Sequence, residues 1–131
     1  MKNVYCLLNH QLTERQITEL RESFAACDVI YPPEELSRLW AQIPATEKID
    51  TSVIASVADW LSSASKGDLL IVQGEIGSTF MLVDYALKSG LIPLHAVTKR
   101  VAQEIRCGEQ VQKQHIFEHV CFRQYAYYPE F

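Results

Sequence analysis

The chain has 131 residues, 48% of them hydrophobic, and a formal net charge of −4. That length fits one domain with an ordinary core, and no apolar run reaches the ~20 residues needed to cross a bilayer. The acidic balance excludes a broad basic surface for long DNA or RNA, but not a small anionic ligand held by a few local cations.

The N-terminal MKNVYCLLNHQL has an apolar core of only about five residues and no small-residue cleavage site after it, so it reads as a strand and not as a signal peptide. A cytoplasmic protein is expected. VYCLLN, residues 4–9, is the first strand. Thr13 then opens a helix, with Gln16 three residues on completing a capping-box pattern and Ile17, Leu20 and Phe24 on one face. DVIY, residues 28–31, is a short second strand. Pro32 and Pro33 break it and start a helix with Glu34 and Glu35 in its first turn and Leu36, Leu39, Trp40 and Ile43 as its buried stripe.

A third helix spans Thr51 to Ala64, with Val53, Val57, Trp60 and Leu61 inward. LLIVQ, residues 69–73, is continuously apolar until its last residue, the mark of a strand covered on both faces. The turn QGEIGST leads into a helix from Ser78 to Lys88, on which Phe80, Val83 and Leu87 are expected to face inward. LIPLHAVT, residues 91–98, is the next buried strand. After Arg100, VAQEIRC and QVQKQHIF flank Gly108 and Glu109 as a hairpin, and HVCFRQY adds a further antiparallel strand. The tail AYYPEF is a surface or interface segment.

Strands alternating with helices predict an α/β fold. The expected form is a Rossmann-like three-layer α/β/α arrangement with a mainly parallel sheet and a C-terminal antiparallel β-hairpin extension. The whole chain, 1–131, reads as one domain, with a core over 1–100 and the extension over 101–131.

In such sheets ligands sit beyond the carboxyl ends of the strands, where strand order reverses. That rule selects three segments. Asn9 and His10 follow strand 1. Gln73, Gly74, Glu75, Gly77, Ser78 and Thr79 follow the buried strand 69–73. Thr98, Lys99 and Arg100 follow the next one. The glycines permit close backbone approach, a helix N-terminus favours an anion, and Arg can fork onto a phosphate. Each segment also has a plain structural explanation: Ser78 or Thr79 as a helix cap, Lys99 and Arg100 as a solvated pair. The functional case rests on their convergence.

The turn is neither a P-loop nor GxGxxG, since no lysine separates Gly77 from Ser78 and only GxxG is present. His115 and His119 stand four residues apart in what reads as a strand, without a third ligand, so no metal is expected. His95 reads as a hydrogen-bonded core residue. The four cysteines form no CxxC pair and read as structural thiols.

The set LLNHQLTERQ, YPPEELSRLW, VQGEIGSTF and IPLHAVTKR, in this order across nearly the whole chain, resembles a small accessory family encoded beside type III CRISPR systems. That family belongs to the CRISPR-associated Rossmann fold (CARF) superfamily. The resemblance implies a homodimer that binds a cyclic oligoadenylate messenger across its two-fold axis, and a ring of four adenylates suits that symmetry. Relatives called ring nucleases cut the messenger and switch the response off; others sequester it.

Ring cleavage implied by the resemblance needs no metal or other cofactor, because a ribose 2′-hydroxyl attacks the neighbouring phosphate. In that scheme His10 positions or deprotonates the hydroxyl, and Lys99 or Arg100 stabilises the phosphate. Asn9 orients the ribose, and the backbone N–H groups of Gly77 to Thr79 hold a second phosphate. The alternatives are a non-cleaving binding protein of the same fold, and an unrelated regulatory or interaction module.

Overall fold

The computed structural model describes residues 2–130. Its elements run β1 (Lys2–Leu7), α1 (Glu14–Phe24), β2 (Ala26–Ile30), α2 (Glu34–Ala41), α3 (Thr51–Leu61), β3 (Leu69–Val72), α4 (Ile76–Lys88), β4 (Ile92–Cys107) and β5 (Gln110–Gln124). One curled sheet has the order β2-β1-β3-β4-β5. β2, β1, β3 and β4 pair in parallel, while β4 and β5 are antiparallel. This is a mixed α/β fold. Among the described residues no helix is long and apolar enough to cross a membrane.

Side-chain alternation splits the core in two. Leu70 and Val72 of β3 join Tyr5 and Leu7 of β1 against Trp40, Val57 and Leu82 from α2, α3 and α4. Leu69 and Ile71 turn the other way, with Val4 and Cys6, against Leu20 of α1. All four residues of β3 are buried, which is why its sequence is continuously apolar. Cys6 sits in this core, and burial pushes its thiol up to about 12, so it is an inert packing group. The helix starts are built locally. Thr13 and Gln16 form the reciprocal capping box of α1, Asp50 caps α3, and Glu75 caps α4.

Several sequence expectations are corrected. α4 begins at Ile76, not Ser78, so its inner stripe is Ser78, Leu82 and Ala86. Phe80 is 74% exposed, while Val83 and Leu87 are only half-buried. The run FMLV offers two apolar stripes about one residue apart, and the Glu75 cap selects the other one. Leu39 of α2 is likewise 41% exposed. β1 ends at Leu7 and α3 at Leu61, which leaves Asn9 and the segment after Leu61 in loops.

The largest departure concerns the C-terminal third. β4 is one strand of 16 residues that carries straight through Arg100, and β5 is one strand of 15. The segment HVCFRQY is thus not an additional strand but the base of the same hairpin. Gly108 turns that hairpin with φ +64°, a left-handed conformation that favours glycine. A bulge at Val120 interrupts the ladder: Val97 faces Cys121 and Thr98 faces His119. Beyond it the two strands project from the body as an arm. Met1 and the last tail residue, Phe131, lie outside the described residues.

Trp40 is 1% exposed, and its indole Nε1 donates to the Gln73 carbonyl at 3.0 Å. A Cβ on Gly74 would stand 2.7 Å from the Trp40 ring. Gly74→Ala is therefore expected to destabilise the fold by about 1–3 kcal/mol, as overpacking against a core side chain does. Urea unfolding checks this, and an unchanged midpoint would contradict the Trp40 contact.

Candidate functional site

After β1 the chain goes to β2 on one side, then returns through α2 and α3 to β3 on the other. The reversal of strand order therefore lies between the carboxyl ends of β1 and β3, the place where open α/β sheets bind ligands. A cleft of about 220 Å³ opens there, lined by Asn9, His10, Gln16, Gln73, Gly74 and Thr98. Asn9 and His10 also border a hollow of about 330 Å³ toward Tyr31 and Glu34. Gln73 and Gly74 border another of about 370 Å³ toward α4. Through these shared residues both hollows adjoin the cleft at the carboxyl ends of β1 and β3.

Gln73 shapes the cleft. The β3–β4 ladder ends at the pair Ile71 and Leu94, where the two strands part. The Gln73 side chain spans the opening, its Oε1 accepting from Ala96 N–H at 2.8 Å. Opposite, the Gln16 carboxamide is held from two sides. Its Oε1 accepts from Thr13 N–H at 3.0 Å, and its Nε2 lies 3.3 Å from Nδ1 of His119. His119 in turn bonds Glu19 through Nε2 at 2.6 Å. Since the Gln16 amide nitrogen can only donate, His119 accepts at Nδ1 and carries its proton toward Glu19. Glu19 also accepts from Phe122 N–H at 2.6 Å, so α1 is clasped to β5 just at the bulge.

His10 is exposed at the cleft mouth, with Nδ1 2.9 Å from the Gln11 carbonyl. A carbonyl only accepts, so Nδ1 carries a proton, and in the neutral form of the ring the lone pair lies on Nε2. That is the form a general base requires.

The three expected segments are brought together only in part. Asn9, His10, Gln73, Gly74 and Thr98 meet in the cleft. Lys99 and Arg100 do not line it. Lys99 pairs with Glu118 at 3.8 Å across the arm. Strand alternation places it on the face opposite Thr98, while Arg100 shares the Thr98 face one step further out. The sequence rule treated these residues as a loop after a strand, whereas β4 does not end there.

The turn after β3 also serves the fold. The Glu75 carboxylate accepts from Gly77 N–H at 2.7 Å, from Ser78 N–H at 2.9 Å and from the Ser78 hydroxyl at 2.8 Å. The Thr79 N–H donates to the Glu75 carbonyl. The first donors of α4 are thus occupied by the chain's own carboxylate. Ser78 is fully buried beneath it. Gly74 is required by Trp40, and a Cβ on Gly77 would meet Ile49 at 2.7 Å. The Thr79 hydroxyl is buried with no hydrogen-bond partner among the described residues, and Thr79 lines the hollow beside α4.

Sequence reasoning missed two wall residues. Gln16 was visible only as a cap. Tyr125 lines the α4 hollow, its hydroxyl donating to the Val72 carbonyl at 3.1 Å and its ring 4.7 Å from that of His95. His95 is half-buried and accepts from Arg123 Nε at 3.3 Å; burial first, then the Arg123 charge, lowers its pKa. His115 and His119 are roughly 13 Å apart at four strand residues. Among the described residues no group of three or more His, Cys, Asp or Glu is placed to hold a metal ion.

The chain matches the family described as "Uncharacterized protein MJ1673 family" over residues 2–123. It belongs to that family. A relative from Methanocaldococcus jannaschii, described as "Uncharacterized protein MJ1673", is 31% identical over 129 residues, which is 98% of this chain and all of that protein. No solved structure matches at a significant level.

The bonds from Gly77 first, then Ser78, hold the Glu75 carboxyl below its ordinary 4.5. A depressed folded value means that its stabilisation is complete above 4.5 and is lost as the pH falls through the lowered value. Glu75→Ala is expected to lower the melting temperature at pH 7, with the gap to wild type closing in acid. A constant gap across that range would show that the carboxylate is not the cap.

Proposed function

We propose that the cleft binds a cyclic oligoadenylate, with cyclic tetra-adenylate the first choice, and cuts it without a metal. In this reading the fold is Rossmann-like, the protein is cytoplasmic and the reaction ends a type III CRISPR signal. The observation that carries the proposal is His10: a histidine with its Nδ1 proton held by Gln11, and its free Nε2 at the strand-order reversal beside Asn9, Gln73 and Thr98. The resemblance of the four sequence segments supplies the ligand class.

The chemistry needs only these groups. The ribose 2′-oxygen attacks the adjacent phosphorus, its proton passes to His10 Nε2, and the bond from phosphorus to the 5′-oxygen breaks. The products are a 2′,3′-cyclic phosphate and a 5′-hydroxyl, which takes its proton from water. Asn9, Gln16 and Gln73 supply neutral donors that hold the phosphate and ribose in line. Of the two cations, Arg100 is the better placed to steady the phosphoryl charge, because it follows Thr98 on the same strand face. The neutral cleft also suits a protein that captures the ring without cutting it, and this is the second reading.

The arm supports a homodimer. A two-stranded ribbon is marginal by itself in water. The face that Lys99 shares with Val101 and Ile105 sets these opposite Ile116 and Gln112, with Gln103 facing Gln114. Apart from the Lys99–Glu118 pair this surface is uncharged, and in the proposal it packs against a second copy.

Incubation with cyclic tetra-adenylate in EDTA should yield linear products ending in a 2′,3′-cyclic phosphate, identified by mass. Intact ligand co-eluting with the protein would select the capture reading, and intact free ligand would sink both. His10→Ala should slow single-turnover cleavage by about 10²–10⁴-fold, the usual contribution of a general base, with affinity nearly unchanged. A surviving rate would remove His10 from the chemistry. The solution mass should be twice 14.9 kDa, and a monomer at micromolar concentration would contradict the arm's role.

A further inference from the structure

The hollow beside α4 differs in kind from the cleft it adjoins. It is lined mainly by Ile76, Phe80, Val83 and Tyr125, with Thr79, and meets the cleft through Gln73 and Gly74. Ile76 is 86% exposed and Phe80 is 74% exposed, one helical turn apart on the same flank of α4. Large apolar side chains left exposed around a concavity mark a binding surface. At about 370 Å³ the hollow falls within the ~300–1,000 Å³ of small-molecule sites.

Its walls are unequal. Tyr125 is fixed, with its hydroxyl tied to the Val72 carbonyl and its ring against His95. Phe80, 74% exposed, forms the other aromatic wall. A flat ring inserted between the two aromatics would be covered on both faces. The polar side chain at the junction of hollow and cleft is Gln73. Gln73 has its Oε1 occupied by Ala96, which leaves the Nε2 donors facing the junction. An aromatic ring bearing nitrogen acceptors and attached to a polar backbone suits both the apolar walls and the Gln73 donors.

We infer that this hollow is a base subsite, taking one purine of a nucleotide whose sugar and phosphate lie in the cleft. The inference rests on reading the cleft as a nucleotide site. It adds which face of α4 the ligand covers, and it assigns Phe80, Tyr125 and Gln73 as the groups that select a flat heterocycle over an aliphatic one.

The test uses the full chain with labelled Ile and Val methyl groups, titrated with adenosine and, separately, with cyclic tetra-adenylate. Both should shift the Ile76 and Val83 signals, and Phe80→Ala should weaken adenosine binding at least tenfold while leaving the solution mass unchanged. Because Phe80 is exposed, that variant keeps its core. Shifts with adenosine but no cutting of the ring would uphold the subsite and defeat the cleavage proposal. Cutting without any shift at Ile76 and Val83 would do the reverse. No binding of either compound would overturn both. A change in solution mass on Phe80→Ala would make this surface a subunit contact and overturn the subsite.

Discussion

Much of this molecule depends on the bonds made by Gln73. Its N–H donates to the Leu7 carbonyl at 3.3 Å, its carbonyl accepts from the Trp40 indole, and its side chain accepts from Ala96 N–H. One residue thereby joins β1, α2 and β4 at the point where β3 ends. Without the side-chain bond, Ala96 would lose this partner just where β3 and β4 separate, and an unpaired backbone donor in a half-buried position is costly. The separation that this bond stabilises is also what opens the cleft. Structure and site share one cause.

The same economy explains the turn after β3. Its small residues serve packing: Gly74 makes room for Trp40, and Ser78 lies buried under the carboxylate that caps α4. An anion approaching α4 end-on would compete with Glu75 for the same N–H groups. In the proposed reading the polar contacts of the ligand fall in the neutral cleft on one side of Gln73, and its apolar contacts in the hollow on the other. Among the described residues lining the cleft, His10 is the one imidazole.

What the sequence revealed follows the reach of each signal. Caps and periodicity are local, so Thr13 with Gln16, the buried run LLIV, and the alternation of strands and helices were all legible. The strand-end rule also brought Asn9, His10, Gln73 and Thr98 to one place, because it needs only strand order. It did not foresee that Lys99 and Arg100 stand within a strand and outside the cleft lining, since nothing local says that β4 continues for nine residues past Thr98, and an extended chain sends neighbours to opposite faces. Phe80 was misplaced because FMLV fits two helical stripes. Gln16 and Tyr125 enter the walls through contacts with β5 and β3, which lie far from them in sequence. No single-sequence pattern encodes those distances.

The central claim is that ligand binds where strand order reverses between β1 and β3. Amide hydrogen exchange with and without cyclic tetra-adenylate tests it most directly. The account predicts slowed exchange at Asn9, His10, Gln11 and Gly74, with the distal arm around Gly108 unchanged. Slowing confined to the arm or to β2, with those four amides unaffected by a ligand shown to be bound, would contradict it.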